Sequence, residues 1–480
     1  MEYLKRNIPM MTDSYKVTHH GMYPDGTEEV YSYFESRTGA RWPYSVFFGL
    51  QYLLKSYFTG EVVTREMIEE AAQFCELHFS DESQFNREGW ELILDDHDGR
   101  LPVEIRAVPE GTVVGESNVL LTIRNTDPDC YWLTNHLETM LVQLWHACTV
   151  ATSSTAQYLK LKDTAIKTGS DLNGLPFKLH DFGFRGSTCY EAAALGGAGH
   201  LIPFMGTDNI AAISLIKQFY NRSSDVAWMP AFSIPAAEHS TITAHEDEVD
   251  AYRQILERYP RASVVSDSYD YKHAVAHIWG GQFNLEIKSR LKEKPDNLLV
   301  IRPDSGDPRE NVLWTLETLA KKFGFALNDK GFKSLPPGLA IIQGDGIDPE
   351  TLGEIADALA ENEWTIDSVV FGSGGGLLQK FNRDTQRFAM KASSVRVYGG
   401  YRQVSKAPKT DMTKASKAGK LKLVDSQAGG FVTVREDDPR ADRLQTVFRD
   451  GELMVDIDFG EVRANWAKSY PVGWAWPDAS

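Results

Sequence analysis

Between residues 177 and 376, short apolar runs recur at regular intervals. Each is closed by a polar or glycine-rich turn and followed by a stretch with helical periodicity. FKLH leads into DFGFRG, LIPF into MGTDN, FSIP into AAEHS, ASVVS into DSYD, LLVI into RPDSG, LAIIQ into GDGID, and DSVVF into GSGGG. Seven such units in succession predict a parallel α/β barrel or a doubly wound sheet. The chain before them mixes elements. Thr64 can cap a helix over 64–79, on which Met67, Ala71, Phe74, Cys75 and His78 recur at helical spacing. PVEIRAV (102–108) and NVLLTIR (118–124) read as strands, and a long apolar helix is expected from about Pro128. This first part therefore reads as α+β.

In parallel α/β folds the turns after the strands open on one face, where catalytic groups collect. Here those turns carry Asp181, Arg185, Asp208, His239, Asp267, Arg302, Asp304, Asp345 and the glycines of 372–376. A purely structural turn wants Gly, Asn or Asp, not this many charges of both signs, so a composite active site is expected. Asp304 and Asp345 each follow a strand end, in IRPDSGDP and IIQGDGID. Such carboxylates can accept from adjacent sugar hydroxyls or hold Mg²⁺ through water, and either could equally cap a helix. Two in parallel positions beside Arg302 favour a sugar-phosphate site. GSGGG (372–376) can aim backbone N–H groups at a phosphate, or serve as a plain turn; it lacks the Lys-Ser/Thr ending of a Walker loop. A lone histidine is usually structural, but His239 follows a strand among small residues on the same face as the other turns. Phe182 and Tyr15 can sandwich a flat ring, although isolated aromatics are more often core. HDFG (180–183) lacks the other kinase motifs, and HEDEV (245–249) lacks the second histidine of a zinc-protease helix. No tight metal site is expected; a metal should arrive with substrate phosphates.

Charge narrows the partners. With 50 Lys+Arg against 67 Asp+Glu the formal charge is −17, so bulk attraction to nucleic acid or an anionic membrane is not expected. The stretch from Lys380 to Lys420 runs against this, with eleven cations opposed only by Asp384 and Asp411. It reads either as a solvated face or as a patch for a polyphosphate. Thr139–Leu159 lacks charges but is too polar to span a membrane, and the N-terminus lacks a signal-peptide core. The four cysteines show no CxxC or zinc spacing, so they are expected to be reduced and buried in a cytoplasmic protein.

Several segments together carry a specific likeness: TDSYKVTHH (12–20), YSYFESR (31–37), NTDPDCYWLTN (125–135), KLHDFGFRG (178–186), GTD (206–208), SIPAAEHSTITA (233–244), SVVSDSYD (263–270), IRPDSG (301–306), QGDG (343–346) and FGSGGGLLQK (371–380). In these the chain closely resembles the nicotinamide phosphoribosyltransferases. The resemblance implies a barrel-like catalytic domain of the type II phosphoribosyltransferase kind over 151–391, and an α+β domain built from 1–150 and 392–480. It implies a homodimer with active sites at the interface. It also implies transfer of the phosphoribosyl group of 5-phosphoribosyl 1-pyrophosphate to nicotinamide, with Mg²⁺ and with ATP as an energy-coupling co-substrate. Carried over by position, Phe182 and the partner subunit's Tyr15 stack the pyridine ring, and Asp208 accepts from its carboxamide. Asp304, Gly344 and Asp345 hold the ribose; Gly374, Gly375 and Arg383 hold the 5′-phosphate. Arg37, Arg185, Arg302, Lys391, Lys406 and Lys414 face the pyrophosphate. His239 is the histidine phosphorylated by ATP, so that His239, Asp304 and Asp267 form the expected catalytic group.

Three other readings compete with this one. Nicotinate phosphoribosyltransferase shares the architecture and differs at the ring carboxyl. A barrel sugar-phosphate aldolase would want a Schiff-base lysine at a strand end, and none of the seven turns supplies one. A non-catalytic binding role leaves the assembled residue set without a purpose.

Overall fold

The structure, a computed structural model, describes residues 6–222, 227–294, 296–410 and 415–470. They fall into two compact units. Residues within Met1–Thr152, Ile216–Ser224 and Phe381–Val472 form one, and those within Ser153–Leu215 and Asp225–Lys380 the other.

The first unit is built on a seven-stranded antiparallel sheet in the order Gly400–Gln403, Phe388–Val397, Thr27–Ser36, Val119–Asn125, Val103–Ala107, Gln445–Arg449, Glu452–Leu453. Both expected strands of its first part are present. Thr27–Ser36 lies centrally and is buried along nearly its whole length, and Phe34 stacks on Phe388 of the neighbouring strand at 5.1 Å. The helix Arg65–Phe79 begins as its sequence indicates, the Thr64 hydroxyl accepting from the Met67 N–H. Its inward face is Ile68, Ala71 and Cys75; Phe74 instead stands exposed and stacks on His78. The single long helix expected from Pro128 is three pieces: a 3-10 turn Pro128–Cys130, then Leu133–Val142 and Leu144–Thr168, separated at Gln143. Of the cysteines, Cys75, Cys130 and Cys148 are buried, but Cys189 is exposed at the start of helix Tyr190–His200, contrary to expectation.

The second unit is a parallel sheet of six strands in the order Gly206–Thr207, Leu179–Asp181, Val369–Ser373, Leu339–Gln343, Leu298–Arg302, Arg261–Val265. Five of the seven expected strands form where the apolar runs lie. LIPF does not: it forms the turn after helix Tyr190–His200, with Leu201, Ile202 and Phe204 buried, and the strand follows at Gly206–Thr207. FSIP forms no ladder, because Pro235 has no N–H to give. It nonetheless bridges both edges of the sheet, Phe232 to Gly206 and Ala236 to Ser263, through Phe232 N–H to the Met205 carbonyl (2.8 Å) and Ser263 N–H to the Pro235 carbonyl (2.9 Å). The ring of strands is thereby closed by bridges at one place. Among the described residues no helix is long and apolar enough to cross a membrane.

Two buried histidines set an acid limit on this fold. His136 meets the Ile8 carbonyl at 3.0 Å, and His200 meets the Ser154 hydroxyl at 3.0 Å and the Leu179 carbonyl at 3.2 Å. Burial pushes their pKa values down to about 4 and about 3. The unfolded chain takes up these protons near pH 6.5, whereas the folded one does not. The stability they contribute is therefore full above that pH and is lost as pH falls toward their folded values. Each site should cost about 2 kcal/mol between pH 7 and pH 5. Replacing either histidine by glutamine should lower the slope of unfolding free energy against pH by about one proton across this window. An unchanged slope would reject the assignment.

Candidate active site

The carboxyl ends of the parallel strands bring several of the expected residues together. Asp267, two residues past Arg261–Val265, has a side chain only 5% exposed and is the hub. It accepts from His239 Nε2–H (3.0 Å), the Asp304 N–H (3.2 Å) and the Ser305 hydroxyl (2.6 Å). The other imidazole nitrogen of His239, Nδ1, lies 4.0 Å from Asp304 Oδ2, and the Arg302 guanidinium lies 3.7 Å from that same oxygen. Helix capping does not account for these carboxylates. Asp307 caps helix Pro308–Phe323 and Asp348 caps Pro349–Glu361, which leaves Asp304 and Asp345 outside the caps. The exposed Asp345 uses its backbone carbonyl to receive the Gln343 amide at 2.8 Å. A Cβ at Gly344 would lie 3.6 Å from Asp304 Oδ1, 3.6 Å from the Phe182 ring and 3.7 Å from Arg302, so these groups border one point.

Phe182 and Asp208 line two adjoining cavities. One, about 420 Å³, extends among Ile234, Val300, Ile342 and Val370; the other, about 430 Å³, opens past Phe184, Arg185 and Asn209. Arg302 borders both. The Phe182 ring rests directly over the strand Val369–Ser373, where a Cβ at Gly372 would come within 2.1 Å of it. Asn209, not Asp208, caps the following helix by accepting from the Ala212 N–H at 3.3 Å. Asp208 is thereby free to face the cavities, where its Oδ1 receives the Ser233 hydroxyl at 2.5 Å.

Behind it Asp181 is fully buried and receives the Asn209 amide (2.9 Å) and the Gly183 N–H (2.7 Å). Burial, helped by the Asp208 charge, raises its pKa to about 6 despite those donors. Burial likewise lowers the pKa of His180, which also lines the larger cavity. Gly374 precedes a helix of only four residues, Gly375–Leu378, and a Cβ at Gly375 would meet nothing within 4 Å. The glycine run thus offers open space and bare backbone rather than a long helix terminus.

The first unit holds the other group. A cavity of about 300 Å³ is lined by Tyr15, Lys16, Arg37, Arg383, Lys391 and Lys406, with Asp13 and Glu138 as its acids. Tyr15 is 60% exposed. Lys16 is buried against Glu138 at 3.1 Å. Burial lowers the Lys391 pKa; Glu138 opposes the shift, while Arg37, Lys16 and Lys406 add to it. The basic stretch therefore divides. Arg383, Lys391 and Lys406 line this cavity, whereas Arg396, Lys417 and Lys420 pair with Glu28, Glu35 and Glu29. Lys414 lies outside the described residues.

Sequence reasoning passed over Ser233, Ser305, Asn209 and the buried state of Asp181. Each sits beside a singled-out residue in the same turn or on the neighbouring one, but a serine or asparagine in a turn carries no signal until its partner is known.

A parallel barrel whose strand ends gather an imidazole, carboxylates and arginines beside an aromatic slot belongs to the type II phosphoribosyltransferase class. The nicotinate phosphoribosyltransferase (NAPRTase) family matches residues 177–452, and the N-terminal domain of nicotinamide phosphoribosyltransferase matches residues 7–105. The chain is 42% identical to a nicotinamide phosphoribosyltransferase of Xanthomonas campestris pv. campestris, over 97% of this chain and 99% of that one. It is 31% identical to one from Acinetobacter baylyi, over 95% and 96%. In fold it matches the crystal structure of nicotinate-nucleotide pyrophosphorylase from Pyrococcus furiosus with a TM-score of 0.61 at 16% identity, covering 98% of this chain and 97% of that one. The chain belongs to the nicotinate phosphoribosyltransferase family and is a phosphoribosyltransferase.

Proposed function

We propose that this enzyme joins nicotinamide to 5-phosphoribosyl 1-pyrophosphate, giving nicotinamide mononucleotide and pyrophosphate in NAD salvage, and that ATP assists through a phosphohistidine. The observation that carries the choice of base is Asp208. It faces the Phe182 slot as a carboxylate, an acceptor suited to a carboxamide NH₂ and repelled by a second carboxylate. The names of the two bacterial relatives agree with it.

Cleavage at C1 of the sugar leaves an oxocarbenium-like centre and a strongly anionic leaving group. Asp304, with Gly344 and Asp345, is suited to the ribose hydroxyls; Gly374, Gly375 and Arg383 are suited to the 5′-phosphate. Arg302, Arg185, Arg37, Lys391 and Lys406 supply positive charge for the pyrophosphate. The ring nitrogen of nicotinamide is already unprotonated, so no general base is needed; the slot has only to hold it in line behind C1. Mg²⁺ would enter chelated by the pyrophosphate and neutralise its charge, consistent with strand-end carboxylates rather than a closed ligand cage.

For the ATP step, Asp267 holds the proton of His239 on Nε2 and leaves the Nδ1 lone pair free. Nδ1 attacks the γ-phosphorus, an N–P bond forms, the bond to the β-phosphate oxygen breaks, and ADP leaves with the electron pair. The added charge beside Asp304 and Arg302 then organises the cations around pyrophosphate.

We further propose a cytoplasmic homodimer in which the partner subunit's Tyr15 covers the face of the ring opposite Phe182. Mixed Tyr15→Ala and Asp304→Ala subunits should then regain part of the activity each variant lacks alone, because one intact site can assemble. Absence of recovery after verified subunit exchange would argue against a shared site. The direct test of the reaction is incubation with nicotinamide or nicotinate, phosphoribosyl pyrophosphate, Mg²⁺ and ATP, with the mononucleotide identified by mass. Product from nicotinamide but not nicotinate is expected; equal use of both would overturn the proposed role of Asp208.

A further inference from the structure

Of the two carboxylate oxygens of Asp208, only Oδ1 has a hydrogen-bond partner among the described residues. Oδ1 receives the Ser233 hydroxyl at 2.5 Å, a short bond of the charge-assisted kind. Ser233 stands in the segment that closes the barrel by bridges at Phe232 and Ala236, held there by backbone bonds and not by a strand ladder. Asp208 itself follows the two-residue strand Gly206–Thr207, and its N–H donates to the Asp181 carbonyl at 3.0 Å. The carboxylate is therefore gripped at both ends: its backbone is tied to the strand Leu179–Asp181, and one oxygen is tied to the bridging segment. Other ionisable groups border the same space, namely His180, Asp181, Arg185, Arg261 and Arg302, but among the described residues none of their side chains bonds to the Asp208 carboxylate.

A serine hydroxyl has one proton to give, and here it goes to Oδ1 at 2.5 Å in preference to the Ile234 carbonyl at 3.4 Å. Two consequences follow. The bond favours one orientation of the carboxylate, which leaves Oδ2 as the acceptor available to an incoming ring substituent. The hydroxyl also presents no donor to that substituent, so nothing at this end of the slot offsets the charge of a carboxylate group. We propose that Ser233 is a specificity-determining positioning residue for the base: by occupying Oδ1 of Asp208 it fixes the remaining oxygen for a carboxamide NH₂ and withholds a donor from a carboxylate. This rests on the reading that Asp208 receives the carboxamide of nicotinamide.

The test compares Ser233→Ala, Ser233→Thr and Asp208→Asn in the full-length enzyme, with nicotinamide and nicotinate as alternative bases. Ser233→Ala should raise the nicotinamide KM about tenfold, the loss of one charge-assisted hydrogen bond's orienting effect, while kcat changes by less than about threefold. The preference for nicotinamide over nicotinate should narrow by a similar factor, because nicotinate makes no use of the fixed oxygen. Ser233→Thr keeps the hydroxyl and should restore most of the nicotinamide KM. A general loosening of the bridging segment would instead depress both bases alike, and threonine would not rescue it.

Asp208→Asn separates the proposal from its premise. If it abolishes the preference while Ser233→Ala leaves the nicotinamide KM unchanged, Asp208 keeps its role and the proposal for Ser233 is overturned. If Asp208→Asn itself leaves the preference intact, the reading of Asp208 fails and the proposal falls with it.

Discussion

The His239→Ala enzyme should lose ATP hydrolysis and ATP stimulation altogether while retaining a slow, ATP-independent transfer of the phosphoribosyl group. On the proposed mechanism the His239 imidazole is the group that accepts the phosphoryl group. Nε2–H is committed to Asp267, and Nδ1 is turned toward the side of Asp304 and Arg302. Alanine removes the acceptor and leaves those neighbours in place, since Asp267 keeps two other donors, the Asp304 N–H and the Ser305 hydroxyl. Sugar and ring contacts therefore survive, and transfer falls to the rate that unassisted binding supports. Removal of a covalent acceptor commonly costs several orders of magnitude in the step it serves, so ATPase activity should drop by about 10³-fold or more. Paired assays of mononucleotide formation with and without ATP, together with acid-labile ³²P on the protein, measure both halves. A variant that still labels and still responds to ATP would remove His239 from the mechanism.

Placing a methyl group at Gly372 should raise the nicotinamide KM by about 10- to 100-fold, the range of one lost stacking face. The added Cβ would lie 2.1 Å from Cε2 and 2.4 Å from Cδ2 of Phe182, far inside van der Waals contact. The backbone cannot yield easily. Gly372 is within the parallel ladder opposite His180, and the Phe182 N–H is bonded to the Ser373 carbonyl at 2.9 Å. The ring must therefore leave its place and tilt into the slot that it otherwise floors. Binding of phosphoribosyl pyrophosphate should change far less, because Asp304 and Arg302 are not displaced. The double variant Gly372→Ala with Phe182→Leu should be no worse than Phe182→Leu alone, since the smaller side chain no longer meets the methyl. Additive losses, or an unchanged nicotinamide KM in Gly372→Ala, would show that Phe182 does not floor the base slot.

The parts of this protein that were legible in the sequence are those governed by local rules. Thr64 announces its helix because a hydroxyl at that position satisfies an orphan N–H of the first turn. The runs ASVVS, LLVI, LAIIQ and DSVVF become strands because a parallel sheet covered on both faces demands continuous apolar residues. The turn chemistry after them marks the face on which His239, Asp267, Arg302 and Asp304 meet. LIPF failed for a reason that no local rule contains. An apolar tetrad can equally form a buried turn after a helix, and packing against the core, not composition, decided between the two.

The sequence by itself determined the barrel grammar, the carboxylates at the strand ends and the family, because periodicity, turn residues and motif spacing are written along one dimension. The tertiary structure alone decided which polar group holds which. Ser233 and Asp208 are 25 residues apart in the chain, yet the Ser233 hydroxyl donates to Asp208 because two short segments close the barrel side by side. Asp267 and Ser305 meet for the same reason, across adjacent strands. Asp181 owes its raised pKa to burial, and Gly372 its lack of a side chain to a ring resting on it from the neighbouring strand. Burial and cross-strand contact depend on which strands become neighbours, and that is settled only when the chain has folded back on itself.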